Sequence, residues 1–541
     1  MDGDAESDSS GGGGEGVATY MYSPFDAAMV QSAMPMLMAA AEGLKMKHVA
    51  PTVWQRRHVI KTVMRFVAER GRKVYGGFAL NAAVRAVFPG DAFYPDFEAA
   101  PDVPPPDIEF YSPDPIGDVV ELCDRLKAEG HEYVQGKEAA HASTFTVSVE
   151  FVRMCDVTFV PEAVYASIPS GVDPASGLQV VDPRFALIDH LRVLCDPHTS
   201  HWRLDRMFPR LFLLQRLFPL RRVARPAHLP PVIGTDAANH VRSFFVTRAA
   251  TCVAIGMAAR DYFVGADPGA GANRHVSVVS SNYEEDVCDL ADTLRMLMPP
   301  GGEDGKRKVV VDVHEHSPLL DFFGARCVFT VDGEAVATVF DAQHRAIPSV
   351  GLAWDGLRIA SLPYAIMMAL ACGFMARVGG GDGDDDHKDE EAFFAWLAAD
   401  MCAAREAAAA AARAASGVCV HMDPRSRFQD FGCAFIGRTL STMRAHMADT
   451  DRRMATLGRS HPAWFTYDPS KDSGGGNNTN KAKPPPQRTF LPMDGRRCDE
   501  NPGACAPTPP HAAVAHRSSR RRRGGRGRVK REEAVGKEAN A

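Results

Sequence analysis

Three carboxylates and two adjacent glycines lie at the ends of predicted strands, where their chemistry suits phosphates and metal ions. Asp107 and Glu109 are one residue apart on a predicted strand, so their side chains point to the same face. Asp156 begins another apolar strand, and Gly76 and Gly77 join a strand to a helix. A glycine pair there lets the backbone and the helix N-terminus approach a phosphate closely. Each carboxylate alone is most simply a solvated strand-end residue, but together they predict a site for one or two divalent cations.

The elements that must position these residues alternate between strand and helix over residues 72–160. Helical spacing predicts helices over 78–88 and 115–130. Apolar and β-branched runs predict strands at 73–75, 108–110, 144–150 and 156–160. The alternation predicts a mixed α/β (α+β) fold class.

Other parts of the chain give coarser predictions. Residues 18–70 have helical spacing, and we interpret their many methionines as core residues. A second mixed segment has a helix over 284–298, a strand over 309–313 and a hairpin around Asp332-Gly333. Helices are also predicted over 392–416 and 429–454, and no internal repeat is visible in the sequence.

A set of motifs from these segments resembles one family. The motifs are Tyr75-Gly76-Gly77, Asp107-Ile108-Glu109-Phe110-Tyr111-Ser112, Gly136-Lys137-Glu138-Ala139-x-His141-x-x-Thr144-Phe145, Asp156-Val157-x-Phe159-Val160-Pro161, and a helical segment from Asp182-Pro183 to Arg210. The order of glycines and carboxylates is that of the nucleotidyltransferase fold of DNA polymerase beta and the poly(A) polymerases. The set as a whole is similar to the poly(A) polymerase catalytic subunit of large nucleocytoplasmic DNA viruses, such as the poxvirus enzyme. The clear resemblance covers residues 73–216.

The resemblance implies a polymerase-beta-like nucleotidyltransferase domain after a helical N-terminal part. In the viral family the C-terminal half is a degenerate copy of that fold, and the second mixed α/β segment is compatible with such a copy. The implied reaction adds AMP from ATP to RNA 3′ ends without a template. Implied partners are ATP, the RNA 3′ end and a processivity subunit, with no membrane. The implied location is intracellular, in the host cytoplasm or the virion.

The resemblance also assigns roles to individual residues. It makes Asp107, Glu109 and Asp156 the catalytic residues and the ligands of two Mg²⁺ or Mn²⁺ ions, with Asp156 assisting deprotonation of the RNA 3′-hydroxyl. Nucleotide-binding candidates are Gly76, Gly77, Lys137, His141, Arg203 and Arg206. Glu109 stands where the usual pattern has Asp, although it can still bind a hard cation. Arg206 stands where relatives are expected to have Lys, which keeps the charge but changes its geometry.

Simpler interpretations accompany several of these assignments. Lys137 and His141 also suit a structural turn and a strand cap, and Trp202, an RNA-stacking candidate, is more simply a helix-packing residue. The basic tail with Arg520, Arg521, Arg522 and Arg523 could bind RNA phosphates, direct nuclear import or only improve solubility. Cys419-x-His421 lacks partners at the spacing that a metal site needs.

Composition changes along the chain predict its domains. We expect a disordered acidic N-terminus at 1–16, a helical region at 17–72, the catalytic domain at 73–185, a helical segment completing it at 186–265, a C-terminal α/β domain at 273–468 with an acidic linker at 379–391, and a disordered tail at 469–541 that ends basic.

The overall composition restricts the class of protein. The 541 residues are 45% hydrophobic and 24% charged, typical of a globular chain and unlike collagen or a polytopic membrane protein. The net charge of -6 conceals a strongly basic segment at 517–531. Twelve cysteines without a CxxC motif indicate thiols in a reducing compartment. The acidic start predicts no secretory signal, and the uncharged run at 359–376 is interpreted as a buried helix.

We therefore expect a template-independent poly(A) polymerase that uses two metal ions. One alternative within the class is a nucleotidyltransferase that prefers another NTP, because no residue in the sequence reads base identity. An alternative of another class is a catalytically silent relative that binds RNA or a partner as a scaffold. The three carboxylates oppose this second alternative, whereas the Glu at position 109 leaves it open.

Overall fold

In the computed structural model, the residues that are described are 23–48, 52–97, 99–139, 144–196, 200–226, 235–266, 275–297, 310–316, 324–342, 345–353, 355–379, 385–416, 426–429, 434–437, 465–472 and 496–497. These residues divide into two compact units. The first contains the described residues up to 221, with 374–379 and 465–472. The second contains those from 222 to 373, with 385–437 and 496–497.

The first unit carries the segments with the predicted site. Its helices are α1 Pro24–His48, α2 Val53–Glu69, α3 Gly76–Val87, α4 Pro115–Ala128, α5 Glu162–Ser167, α6 Pro183–Cys195, α7 Leu204–Leu217 and α13 Pro469–Asp472, with 3-10 turns at Pro89–Asp91 and His201–Arg203. Its strands are β1 Lys73–Tyr75, β2 Ile108–Ser112, β3 Gln135–Glu138, β4 Thr144–Val149, β5 Val152–Phe159, β6 Ser170–Val172, β7 Gln179–Val181 and β16 Thr466–Tyr467.

These eight strands form one mixed sheet in the order β16-β3-β4-β5-β2-β1-β7-β6. The pairs β2–β5 and β1–β7 are parallel, and the other neighbouring pairs are antiparallel. Helices α2 and α4 pack on this sheet and bury an apolar core that includes Phe66, Phe110 and Leu122. Strand β16 comes from far along the chain and closes the sheet beside β3.

Helix ends follow signals that are legible in the sequence. Thr52 and Gln55 form a reciprocal capping box at the start of α2. Asp114 caps α4 by accepting a hydrogen bond from the Gly117 N–H at 3.2 Å, and Pro115 occupies the first helical position. Asp182 caps α6 in the same way, with its carboxylate accepting from the Arg184 N–H at 2.7 Å.

The second unit repeats the chain order of the first. Its helices are α8 Thr235–Thr247, α9 Gly256–Val264, α10 Tyr283–Leu297, α11 Leu362–Gly379, which begins in this unit, and α12 Asp385–Ser416. Its strands are β8 Cys252–Ile255, β9 Val276–Ser280, β10 Val311–His316, β11 Arg326–Val331, β12 Glu334–Asp341, β13 Ile347–Leu352, β14 Arg358–Ala360, β15 Ala434–Ile436 and β17 Arg496–Arg497.

The second sheet matches the first strand by strand. Its order from one edge is β17-β10-β11-β12-β9-β8-β14-β13, followed by the additional β15. The parallel pairs are β9–β12 and β8–β14, at the positions that correspond to β2–β5 and β1–β7. The two units therefore have the same sheet topology, although no repeat is visible in the sequence.

Most predicted elements are present: β1 has the predicted bounds, β2 is two residues longer and β4 is one residue shorter. Strand β5 begins four residues earlier than predicted, so Asp156 lies within the strand and does not begin it. The Asp332-Gly333 hairpin is confirmed, with φ of 53° and 83° at its two turn residues. The run at 359–376 divides into strand β14 and helix α11, which is buried as predicted along most of its length. No described helix is long and apolar enough to cross a membrane.

Three predictions are wrong. Methionines of α1 are exposed rather than buried, as Met36 at 68% and Met38 at 66% show. The acidic linker is helical from Asp385, since α12 begins there. Residues 434–436 of the helix expected at 429–454 form strand β15.

Candidate active site

A row of side chains crosses the first sheet at the predicted site. Tyr75 on β1 is in register with Glu109 on β2, and Glu109 is in register with Asp156 on β5. The row continues to Thr146 on β4 and Lys137 on β3. Directly paired residues share a face of the sheet with their Cβ atoms about 5 Å apart. Glu109 and Asp156 are therefore neighbours on one face, and Lys137 lies on that same face.

The glycine pair fits closely against Glu109. Gly76 has a φ of 69°, and a Cβ atom on it would lie 1.7 Å from Glu109 Oε2. The Gly77 N–H, at the N-terminus of α3, donates a hydrogen bond to the same oxygen at 3.2 Å. The positive end of the α3 dipole therefore faces a carboxylate. Only glycine at position 76 leaves space for that carboxylate.

Negative charge is concentrated at this point. Burial, together with the charges of Asp107 and Asp156, raises the pKa of Glu109 to about 7, against the lowering effect of the hydrogen bond from Gly77. Asp156 is buried, and its Oδ1 accepts a hydrogen bond from the Thr146 hydroxyl. Such crowding of carboxylates is unfavourable unless a cation compensates it.

Arg153 supplies a cation in this structure. Its Nη2 lies 2.9 Å from Asp107 Oδ2, and its Nη1 lies 3.3 Å from Asp156 Oδ2. The guanidinium thus bridges two of the three predicted metal ligands, although its side chain is 54% exposed. Asp156 and Asp107 keep the pKa of Arg153 above its ordinary value despite its burial. The three carboxylates are hard oxygen donors around a space that already attracts positive charge, which fits a divalent cation such as Mg²⁺ or Mn²⁺.

A polar layer supports the row from α6. Arg192 Nη2 donates to Asp189 Oδ1 at 2.6 Å. Burial of Asp189 alone would raise the pKa of its carboxyl group, but the Arg192 guanidinium keeps that pKa below its ordinary value. The rings of Tyr75 and Tyr111 stack 4.2 Å apart, and the Tyr75 hydroxyl is 2.7 Å from Thr158 Oγ1. These contacts hold β1, β2 and β5 in register beside the carboxylates.

The other predicted nucleotide-binding residues differ in their placement. Lys137 is exposed on β3, in the carboxylate row. Arg203 is partly buried in the 3-10 turn, where its charge reaches Asp189. Arg206 is exposed in the first turn of α7, where its backbone N–H donates to the Asp205 carboxylate at 2.8 Å. His141 lies outside the described residues.

Of the predicted RNA-binding residues, only Trp202 lies within the described part of the chain. Trp202 is 57% exposed and contacts the His201 ring at 5.1 Å, so the helix-packing interpretation is wrong. Its RNA-binding assignment remains a prediction. The basic tail at Arg520, Arg521, Arg522 and Arg523 lies outside the described residues.

Sequence reasoning missed three arginines around the site. Arg153 bridges the carboxylates, and Arg56 on α2 is close enough to Asp107 for that charge to oppose the lowering of the Arg56 pKa by burial. Arg210 on α7 donates to the Tyr94 hydroxyl at 3.0 Å, with its Nη1 3.5 Å from where a Gly77 Cβ would lie. Arg210 ends a segment that resembles the family pattern, so the sequence could have indicated it as a site residue. The local sequence around Arg56 and around Arg153 contains no comparable signal.

Comparison with known proteins agrees with this geometry. Residues 61–200 match the family described as "Poly(A) polymerase catalytic subunit". An Acanthamoeba polyphaga mimivirus protein that is named for the same subunit is 29% identical over 358 residues, which are 61% of this chain and 59% of that protein. The chain is therefore similar to the poly(A) polymerase catalytic subunits of large DNA viruses. An African swine fever virus homologue is 25% identical over 167 residues, which are 30% of this chain and 33% of its own length.

A solved structure extends the similarity to most of the fold. The crystal structure of the Megavirus polyadenylate synthase superposes with a TM-score of 0.67 at 25% identity, and the match covers 85% of this chain and 88% of that one. The fold of this chain therefore matches, over most of its length, a fold already seen in the Megavirus protein. The curated mimivirus homologue is matched over about three fifths of its length.

Proposed function

We propose that the protein is a polynucleotide adenylyltransferase that adds AMP from ATP to RNA 3′ ends without a template. The observation that carries this proposal is the carboxylate row, in which Glu109 and Asp156 are in register beside the Gly76-Gly77 turn. The family match at residues 61–200 contains every residue of this row, from β1 to β5. In this proposal the first unit is the nucleotidyltransferase domain and the second is its degenerate copy.

Asp107, Glu109 and Asp156 would hold two Mg²⁺ or Mn²⁺ ions. When bound, such ions polarise phosphoryl oxygens and lower the pKa of an attacking hydroxyl. The chain's own part is to supply three anionic ligands from adjacent strands. Gly76 leaves room beside Glu109, and the α3 N-terminus places amide N–H groups where phosphate oxygens can be bound.

The basic residues act on the nucleotide and the primer. Lys137 shares the carboxylate face and can reach a triphosphate laid along the row. Arg153 must release Asp107 and Asp156 when these bind cations, and its exposed position then suits contact with a phosphate. Asp156 would accept a proton from the RNA 3′-hydroxyl. ATP and the RNA 3′ end are the substrates, and a further subunit that confers processivity is a proposed partner.

The test is a primer-extension assay with the full-length protein, a short labelled RNA, Mg²⁺ or Mn²⁺, and each NTP separately. Long products with ATP alone, absent in Asp107→Asn, would support the proposal. Asp102→Asn is the matched control, because Asp102 is an exposed carboxylate in the loop before β2. Extension with another NTP would show that the nucleotide substrate is not ATP, while the reaction would still be nucleotidyl transfer.

A silent scaffold is the second candidate, and one observation favours it. Arg153 pairs with two of the three carboxylates, as it would in a purely structural ion pair. Absence of extension with either metal and every NTP, from folded protein that still binds the labelled RNA, would support this second function.

A further inference from the structure

We propose that His58, Glu129 and His131 form a binding site for a divalent transition metal of the Zn²⁺ type. One ligand atom from each of these residues lies within 4.8 Å of the other two. In the described part of the chain, this is the one group of three or more His, Cys, Asp and Glu side chains that meets this spacing. It is separate from the carboxylate row and does not depend on the proposed function.

Two helices bring the three residues together. His58 lies on α2, whereas Glu129 and His131 follow the last turn of α4. Gly130 has a φ of 91° between them, and the His131 N–H donates to the Leu126 carbonyl at 3.1 Å. This is a glycine-based helix stop, in which the chain reverses immediately after the helix. The stop turns both side chains towards α2.

The Glu129 carboxylate is already held in a fixed orientation. The buried Thr62 hydroxyl donates to Oε2 at 2.6 Å, and Arg65 Nη2 donates to Oε1 at 2.8 Å. His58 Nε2 lies 3.6 Å from the same Oε2. Hydrogen bonds to a carboxylate ligand from outside the site are a general property of protein metal sites, because they orient the ligand before the ion binds.

The two imidazoles are also placed as ligands. Their ring centroids are 5.4 Å apart, and His58 stacks on Trp54 at 5.8 Å, which restricts its ring. His131 Nε2 is buried and has no hydrogen-bond partner among the described residues.

The donor set points to the class of ion. Two imidazole nitrogens and one carboxylate oxygen suit Zn²⁺ and related transition metals better than Mg²⁺, which prefers oxygen ligands. An ion here would join α2 to the end of α4. Phe66 of α2 packs on Phe110 of β2 at 6.2 Å, so the helix that the ion would fix supports a carboxylate-bearing strand.

The test measures metal binding by the full-length protein after removal of metals with a chelator. Zn²⁺ is titrated by calorimetry, and Co²⁺ is titrated by its visible absorption, which reports nitrogen and oxygen ligation directly. We expect the wild-type protein to bind one equivalent of the metal per chain, and we expect this binding to be lost in both His58→Ala and His131→Ala. Thr62→Val removes the hydroxyl that donates to Glu129 and accepts from Arg65, and it should weaken binding roughly tenfold.

Two controls separate this site from others. His240→Ala removes a histidine of α8 in the second unit and should leave the stoichiometry unchanged. Asp107→Asn should also leave it unchanged, because Asp107 is not a ligand of this site; loss of the equivalent in this variant would place the ion on the carboxylate row and overturn the proposal. Retention of the equivalent in folded His131→Ala, or no binding by the wild-type protein, would overturn the proposal and leave the cluster as a His–Glu ion pair.

Discussion

The two units share a sheet topology but differ at the row that carries charge in the first. Register alignment places His275, Ser277 and Thr338 of the second unit where the first has Asp107, Glu109 and Asp156. His275 Nε2 lies 2.9 Å from Thr338 Oγ1, and its Nδ1 lies 3.3 Å from Ser277 Oγ. Burial lowers the pKa of His275 to about 4, so this cluster is neutral and satisfies itself.

Other features are kept in both units. Gly76 and Gly256 have φ of 69° and 61°, each directly after a strand. Ser112 and Ser280 both accept from the backbone N–H two residues later at 2.9 Å.

A buried ion pair is also kept. Arg72 pairs with Asp118 of α4 at 2.7 Å, and Arg248 lies 3.6 Å from Asp286 at the corresponding place on α10. The retained contacts are those that build strand ends and helix starts, and the lost ones are the anionic ligands. The fold of each unit therefore does not depend on its having a metal site.

The largest expected effect contrasts Asp156 with its counterpart. We expect Asp156→Asn to abolish Mn²⁺ binding and to lower kcat/KM by about 10³-fold or more, since ion coordination contributes several kcal/mol. Thr338→Val should change neither quantity. Manganese titration and primer extension on both variants measure this contrast, and an equal loss in Thr338→Val would show that the second unit also binds the ion.

The next effect is the pH dependence that Glu109 contributes, which is opposite in sign to the contribution of the buried His275 in the second unit. With its pKa raised from 4.5 to about 7, Glu109 holds a proton in the folded protein that the unfolded chain releases between those values. Stability should therefore fall as pH rises from about 4.5 to 7, by roughly 3 kcal/mol from this group. Urea unfolding of metal-free protein at pH 5 and pH 8 tests this. Relative to the wild type, Glu109→Gln should lack this loss of roughly 3 kcal/mol between the two pH values, whereas Ser277→Ala should show the same change as the wild type. An identical change in the wild type and Glu109→Gln would contradict the assignment.

The two glycines offer a matched pair of substitutions. Alanine at either position costs about 1–2 kcal/mol of stability from its left-handed backbone. At Gly76 the new methyl group would also displace Glu109, whereas at Gly256 it would lie 3.5 Å from Ser277. We expect Gly76→Ala to lower activity about 10²-fold and Gly256→Ala to leave it unchanged. Equal activity in the two variants would mean that Glu109 tolerates displacement.

The smallest effect concerns Arg153. Its guanidinium competes with cations for Asp107 and Asp156, but exposed ion pairs contribute only about 0.5–1 kcal/mol. Arg153→Met should therefore bind Mn²⁺ roughly two- to fivefold more tightly. Arg295→Met, at an exposed arginine of the second unit, is the control. Weaker binding in Arg153→Met would show that this residue supports the ions instead.

Local patterns were enough to predict much of the first unit. Strand alternation placed Glu109 on the face of β2 opposite the buried Ile108 and Phe110. The Asp332-Gly333 turn was equally local, because few other residue pairs adopt positive φ at both positions. Lys137 was named for its motif, and only the register across β3, β4 and β5 shows that it shares the carboxylate face.

The rest depended on contacts that local patterns do not encode. Arg153 and Asp156 are three residues apart, which predicts opposite faces of a strand. A bulge opposite Val147 and Ser148 inserts an extra residue in β5 and changes that alternation, so both side chains meet. The repeat of sheet topology could not be seen in the sequence, because the two units share buried apolar strands and turn geometry but not the residues of the site. Helix periodicity likewise could not tell whether the methionines of α1 had a partner to pack against.

Strand β16 has a consequence for how the protein is made. It lies beside β3, where Tyr467 donates to Asp124 at 2.5 Å and Phe465 packs on Phe145 at 5.7 Å. Strand β17 occupies the corresponding edge of the second sheet beside β10. During synthesis on the ribosome, β3 emerges about 330 residues before β16, and β10 emerges about 180 residues before β17. Both nascent sheets must keep an open edge until the last part of the chain is translated, which is the period when pairing with another copy is easiest.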